Sequence, residues 1–153
     1  MIPIQNPGVS FSMISETLPE VQPLQIGSIR EKVLIVDDDE THLEILRHGL
    51  ERQGFNVIAA TRGVELFGFI VEEKPDLVIL DINLPDANGL EICQELVDAP
   101  ATTNIPVIIL SGSTEKTVVR QARMAGCRFF LSKPFDPNAI LLVIRQALEE
   151  SGF

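Results

Sequence analysis

From residue 31 onwards, short runs of β-branched and aliphatic residues alternate with longer segments in which apolar residues recur every three or four positions. The short apolar runs predict strands, and the longer period predicts amphipathic helices. Five strands are expected, at 32–37 (KVLIVD), 55–60 (FNVIAA), 76–81 (DLVILD), 105–111 (IPVIILS) and 127–131 (CRFFL). Several are apolar throughout, as strands covered by helices on both faces must be. Five helices fit between and after them. The first, about 40–53, has Asp39 as its N-cap, Leu43, Leu46 and Leu50 at helical spacing, and Gly54 as its stop. The second, about 63–73, places Val64, Phe67, Ile70 and Val71 on one side and ends before Pro75. The third (about 89–97) is short, and the fourth (about 114–125) stops at Gly126. The fifth, about 137–150, starts after Asp136 with Pro137 in its first turn. Strands alternating with helices, joined by right-handed crossovers, predict an α/β fold: a (βα)5 doubly wound parallel sheet in the flavodoxin-like order 2-1-3-4-5.

The pattern breaks upstream of residue 31. Residues 1–30 hold four of the ten prolines (Pro3, Pro7, Pro19, Pro23) and three charges, Glu16, Glu20 and Arg30. Proline at that density disfavours helix, so the segment reads as an extended tail ahead of a domain spanning 31–153. It is apolar for a linker, with Ile2, Ile4, Val9, Phe11, Met13, Ile14, Leu18, Val21, Leu24, Ile26 and Ile29, so it is a candidate for docking on a surface. The fifth helix, AILLVIRQAL, is apolar on more than one stripe. A second covered surface is expected there, through homodimerisation, a partner or the tail.

Whole-chain composition excludes several functions. With 22 acidic against 12 basic residues the formal charge of the 153-residue chain is −10, which repels phosphate backbones and anionic lipid, so neither nucleic acid nor membrane is an expected partner. No apolar run approaches the roughly 20 residues of a membrane span. The start of the chain lacks the basic and apolar regions of a secretory signal. Two cysteines, Cys93 and Cys127, are too few for a disulfide scaffold and suit a reducing compartment, so a cytoplasmic location is expected.

The polar residues that interrupt the pattern fall at one kind of place. Asp37 and Asp38 close the first strand, Asp81 the third and Ser111 the fourth, and Lys133 follows the fifth. Open α/β sheets bind ligands at the carboxyl ends of their strands. In the order 2-1-3-4-5 the first, third and fourth strands are neighbours about 4.8 Å apart, so these side chains converge on one crevice. Lys133 starts roughly 10 Å from Asp81, a gap its stem largely bridges. Two carboxylates about 4 Å apart repel by about 4 kcal/mol at an effective dielectric of 20. Either their pKa values rise or a divalent cation binds. An all-oxygen donor set favours a hard ion, Mg²⁺ ahead of Mn²⁺ and Ca²⁺, and Mg²⁺ implies phosphate chemistry. Ser111 and Lys133 are then donors to phosphoryl oxygens, and Asp81, on the middle strand, is the natural nucleophile for an aspartyl-phosphate.

Other chemistries fit less well. A phosphatase resembling the haloacid dehalogenases needs a second aspartate two residues after the nucleophile, and that position is Asn83. A flavodoxin needs a Ser/Thr/Gly-rich loop after the first strand, where this chain has DDDETH. No P-loop motif is present.

Four segments carry a family resemblance: IVDDD at 35–39, LVILDINLPDANG at 77–89, VIILSG at 107–112 and FLSKPF at 130–135. In this order, and with helices between them, they make the chain from about 31 to 150 resemble the receiver domain of two-component response regulators. The resemblance implies that Asp81 accepts a phosphoryl group from a histidine kinase or histidine phosphotransfer protein. It further implies that Asp38 ligates Mg²⁺ directly, Asp37 through a water, and Asn83 through its backbone carbonyl. Ser111 is the hydroxyl that moves towards the phosphoryl group, Lys133 is its ammonium partner, and Phe130 is the switch aromatic. Rotation of Phe130 alters the surface of the fourth helix, fifth strand and fifth helix, where a downstream protein or a second copy binds. The Lys133–Pro134 peptide is expected to be cis.

The chain departs from the family at three points. Leu84 stands where Met is usual before the proline, Phe130 lacks a hydroxyl, and Asn83 and Ser113, at positions that tune dephosphorylation, are uncharged. A chain stopping after the fifth helix leaves no room for an output domain, so a stand-alone receiver that is no enzyme beyond its own phosphorylation and dephosphorylation is expected. The alternative is an unphosphorylated receiver-like module that binds protein constitutively. His42 and His48 read as surface residues, the cysteines as buried thiols, and Asp86 as a cap or loop residue.

Overall fold

The computed structural model describes residues 30–113 and 115–151. The expectations for the proline-containing tail therefore lie outside the described residues, Arg30 apart. Strands β1 (Lys32–Val36), β2 (Asn56–Ala60), β3 (Leu77–Asp81), β4 (Val107–Ser111) and β5 (Phe129–Ser132) alternate with helices α1 (Glu40–Arg52), α2 (Leu66–Glu73), α3 (Gly89–Asp98), α4 (Lys116–Met124) and α5 (Pro137–Glu150). A 3₁₀ turn, Gly63–Glu65, leads into α2. All strand pairs are parallel and the sheet order is β2-β1-β3-β4-β5, the doubly wound order read from the sequence.

The middle of the sheet is apolar on both faces because helices cover both. Val33 to Val36 on β1 and Leu77 to Leu80 on β3 are fully buried. Alternate residues feed two cores. Val33, Ile35, Leu77, Ile79, Ile108 and Leu110 pack with α1 and α5. Leu34, Val36, Val78, Leu80, Val107 and Ile109 pack with α2 and α3, where Cys93 and Leu96 complete the layer. Each fully buried aliphatic side chain contributes roughly 1.5–3 kcal/mol of transfer free energy, so this sheet is rigid scaffold for whatever its edge carries.

Several helix ends follow the sequence signals. The Asp39 carboxylate accepts from the amides of Thr41 (2.9 Å) and His42 (3.3 Å) at the start of α1. Gly54, at φ +97°, takes the left-handed conformation after its end. Asp136 caps α5, with Pro137 in the first turn.

Two expectations need correction. The fifth strand was placed at 127–131 but runs Phe129–Ser132, because the turn that ends α4 continues through Gly126 (φ +91°) and Cys127, whose amide still donates to Ala122 at 2.9 Å. Of the four residues predicted to share one side of the second helix, only Ile70 is buried. Val64 and Val71 face solvent, and Leu66 and Ile70 make the packed face. His42 lies at the surface as expected, its side chain 41% exposed, and it also stands beside Asp37. On α5, Ile140, Ile144, Ala147 and Leu148 are buried, Leu141 and Val143 are half-buried, and Leu142 is exposed.

Candidate functional site

The fold ends each central strand on a polar residue, and those ends meet. Asp37 directly follows β1 and is fully buried; Asp81 and Ser111, the last residues of β3 and β4, are 5% and 1% exposed. Register explains the convergence: Val36 pairs with Leu80 and Asp81 with Leu110, so one further residue on each strand brings all three to the same edge. Lys133, just beyond β5, is positioned by its own amide, which donates to the Ser111 carbonyl at 2.7 Å. Its ammonium then reaches across two strands to Asp37 Oδ2 (2.9 Å) and Asp81 Oδ2 (3.2 Å). The Lys133–Pro134 peptide is cis.

Asp38 projects outward and is exposed, yet one ligand oxygen from each of Asp37, Asp38 and Asp81 lies within 4.8 Å of the others. These three acids and Lys133 carry more negative than positive charge. Burial raises the Asp81 pKa above the ordinary carboxylate value, opposed by the Lys133 ammonium and reinforced by the Asp37 charge. Burial also works against the Lys133 ammonium, but hydrogen bonds and charge from Asp37 and Asp81 outweigh it and hold that pKa above the usual lysine value. Both shifts mark a site where charge has been buried before it is fully compensated.

The loop after Asp81 is built tightly around it. The Asn83 amide donates to Asp81 Oδ1 at 3.3 Å, and Asn83 bridges antiparallel to Asn88. Gly89, the first residue of α3, lies so close to this strand end that a Cβ there would sit 2.3 Å from the Asp81 carbonyl oxygen, so only glycine fits. Asp86 ties the same loop to α2: its two carboxylate oxygens accept from the amides of Gly63 and Val64, each at 2.8 Å. Those two amides hold the Asp86 pKa below the ordinary value. Ser111 Oγ accepts from the Ser113 amide at 3.0 Å, which leaves its own proton free to donate. Phe130, three residues before Lys133, is half-buried against the core under α2 and α3.

Of the residues the sequence reading named, the structure brings Asp37, Asp38, Asp81 and Lys133 together, and it places Ser111 at the end of the neighbouring strand. Asn83 is present through its amide, and Phe130 lies on β5 outside the acid pocket. Missed was His42, whose Nδ1 is 3.5 Å from Asp37 Oδ2 and whose Nε2 is 3.6 Å from Asp39 Oδ2. The available signal was its place one turn into the helix that follows the acid run.

Comparison with known proteins agrees with this geometry. Residues 33–145 match the model of the response regulator receiver domain. The polar-differentiation response regulator DivK of Brucella anthropi is 31% identical over 121 residues, covering 79% of this chain and 98% of DivK. PhoP of Bacillus subtilis, the alkaline phosphatase synthesis transcriptional regulatory protein, is 32% identical over 123 residues; the match covers 80% of this chain but half the length of PhoP. Among solved structures, a CheY-like receiver domain from Methanospirillum hungatei superposes with a TM-score of 0.75 at 28% identity, covering 80% of this chain and 97% of that one. The beryllofluoride-activated DrrB receiver domain gives a TM-score of 0.71 at 29% identity, with 79% and 99% covered.

The doubly wound sheet with an acid pocket at its carboxyl edge, matched over residues 33–145 by the receiver-domain model, places the chain among two-component signalling modules. The chain belongs to the response regulator receiver family. Receiver domains accept phosphoryl groups from histidine kinases, and the acidic triad is typical of their Mg²⁺ site. Among the described residues, no helix is long and apolar enough to cross a membrane.

Proposed function

We propose that this chain is a phosphorylation switch in which Asp81 accepts a phosphoryl group from a phosphohistidine donor in a Mg²⁺-dependent reaction. The observation that carries this reading is the convergence of three carboxylates and one ammonium, two of the carboxylates buried, at the carboxyl edge of the sheet. The donor set is all oxygen, with its ligand atoms within 4.8 Å of one another, and so fits Mg²⁺. Asp38 and Asp81 would hold the ion through their carboxylates, Asp37 through a water and Asn83 through its backbone carbonyl. Bound Mg²⁺ neutralises the carboxylates and the charge that develops on the transferring phosphoryl oxygens.

The chain's own groups do the rest. An Asp81 carboxylate oxygen attacks phosphorus, a P–O bond forms as the P–N bond breaks, and the donor imidazole leaves with the electron pair of that bond. Lys133 already touches Asp81 Oδ2 and is placed to donate to a phosphoryl oxygen bound there. The free Ser111 proton supplies a second donor. Recruitment of Ser111 opens space behind it, and Phe130, half-buried on the neighbouring strand, is the side chain that turns in. That movement changes the α4, β5 and α5 surface offered to a downstream protein or a second copy.

The test is incubation with Mg²⁺ and acetyl phosphate or phosphoramidate, read by intact-protein mass. The wild-type chain gains the mass of one phosphoryl group, and the gain disappears with EDTA and in Asp81→Asn. A wild type without the adduct, or an undiminished adduct in Asp81→Asn, returns the chain to a constitutive binding module.

A further inference from the structure

A second surface stands apart from the acid pocket. Val64, Phe67 and Val71, spaced i, i+3 and i+7 along the 3₁₀ turn and α2, form one row facing solvent, and they are 68%, 39% and 72% exposed. One position on, Glu65, Gly68 and Glu72 form the adjacent row at the same spacing, and all three are exposed. Among the described residues neither glutamate is in an ion pair. The Glu65 carboxylate accepts from the amides of Thr61 and Arg62.

The fold explains Glu65, which caps the 3₁₀ turn, but neither Gly68 nor the outward apolar row. A Cβ at Gly68 would meet nothing within 4 Å, and its φ is not left-handed, so neither packing nor backbone geometry requires a glycine there. Glycine weakens a helix interior, and a helix in water is not helped by an outward Val–Phe–Val row. A notch beside an apolar row does allow another backbone to approach closely. The two rows together specify what fits: apolar side chains over Val64, Phe67 and Val71, with cations beside them to meet Glu65 and Glu72. A second copy presents the same acidic row and so lacks the complementary charge.

We propose that the Val64–Phe67–Val71 row and the Glu65–Gly68–Glu72 row beside it form a docking surface for a partner protein's amphipathic helix, one whose apolar stripe is edged by Lys or Arg. The surface is separate from the α4, β5 and α5 face.

The probe is a helical peptide of Leu, Ala and Lys with one leucine stripe edged by lysines. Two controls accompany it, the same residues in scrambled order and the same stripe with Glu for Lys. Binding to the ¹⁵N-labelled full chain is followed by amide shifts and by fluorescence anisotropy. Shifts are expected to concentrate at residues 62–74, with affinity at least tenfold above both controls. Val64→Ser/Val71→Ser, a pair of exposed positions, is expected to weaken the stripe peptide at least tenfold while the thermal melt stays unchanged. Glu65→Gln/Glu72→Gln is expected to weaken it and flatten its salt dependence. Shifts centred on Asp37, Asp38 and Asp81, equal binding of the scrambled peptide, or undiminished binding by the serine variant would overturn the proposal. So would shifts at 62–74 that follow the protein's own concentration, since a second copy would then be the occupant.

Discussion

Leu80 and Asp81 are consecutive residues on one strand, both buried, and they do opposite work. Leu80 is fully enclosed in the core shared with α2 and α3, where removal from water stabilises the fold. Asp81 is 5% exposed at the strand end, where burial and the Asp37 charge disfavour its carboxylate. On β1 the buried Val36 is likewise followed by the buried, polar Asp37, and on β4 Leu110 by the buried Ser111. Three neighbouring strands therefore change from apolar to polar within one residue. A sheet edge built for stability alone would not do that three times in register, so the strand bodies are scaffold and their ends are site.

The largest expected effect breaks the contrast from the scaffold side. Leu80→Ala removes buried aliphatic volume and leaves a cavity, at about 2–5 kcal/mol, a large part of the stability of any domain this size. Asp81→Asn, one residue on, removes a disfavoured charge while keeping the side-chain shape. It is expected to raise the melting midpoint by about 2–4 °C, the shift that about 1 kcal/mol produces in a chain of this length. Urea and thermal unfolding of the two variants measure both. Shifts of the same sign would remove the distinction between body and end.

Next in size is the group that holds the end together. Lys133→Ala leaves Asp37, fully buried, without its closest cation. Breaking a buried pair from one side costs about 3–5 kcal/mol in a dry interior. The acid pocket is open at Asp38 and His42 stands beside Asp37, so about 1–3 kcal/mol is expected here. Because the cost comes from uncompensated carboxylate charge, millimolar Mg²⁺ should restore part of it, and Asp81→Asn in the same chain should too. If neither recovers stability in urea unfolding, Lys133 holds the edge by packing rather than charge.

Legibility in the sequence followed the same division. Strand bodies announce themselves because β-branched and aliphatic runs have few other uses, and strand ends because each run stops on a polar residue. Convergence then needed only the strand order. Three features stayed hidden for physical reasons. The buried face of α2 was hard to read because most residues of 66–71 are apolar, so the pattern does not say which of them turn inward. Asp86 reaches amides 22 and 23 residues away, a contact no local pattern encodes. His42 meets Asp37 only through the angle at which α1 leaves β1, which spacing along the chain does not give.

The smallest effect sharpens the comparison within the scaffold. Cys93 is as buried as Leu80, but it carries an ionisable group that its surroundings keep neutral: burial, with Cys127 nearby, pushes its pKa from 9.0 up to about 12. A group whose pKa is raised by folding contributes stability below its unfolded value and loses that contribution as pH climbs towards the folded one. The window here is pH 9 to 12. Between about pH 8.5 and 10 the wild type should lose about 1 kcal/mol more than Cys93→Ala, by urea unfolding at each pH. Native Cys93 should also resist iodoacetamide at pH 8 until denaturant is added, since the thiolate is the reactive form. Asp81 and Cys93 thus test one rule from two sides: the interior keeps a thiol neutral at little cost, whereas the strand end carries its carboxylates against the cost of burying them. Equal alkaline slopes in the two proteins would mean that the α2 and α3 core admits water, and the rigidity assigned to the scaffold would have to come from the α1 and α5 side alone.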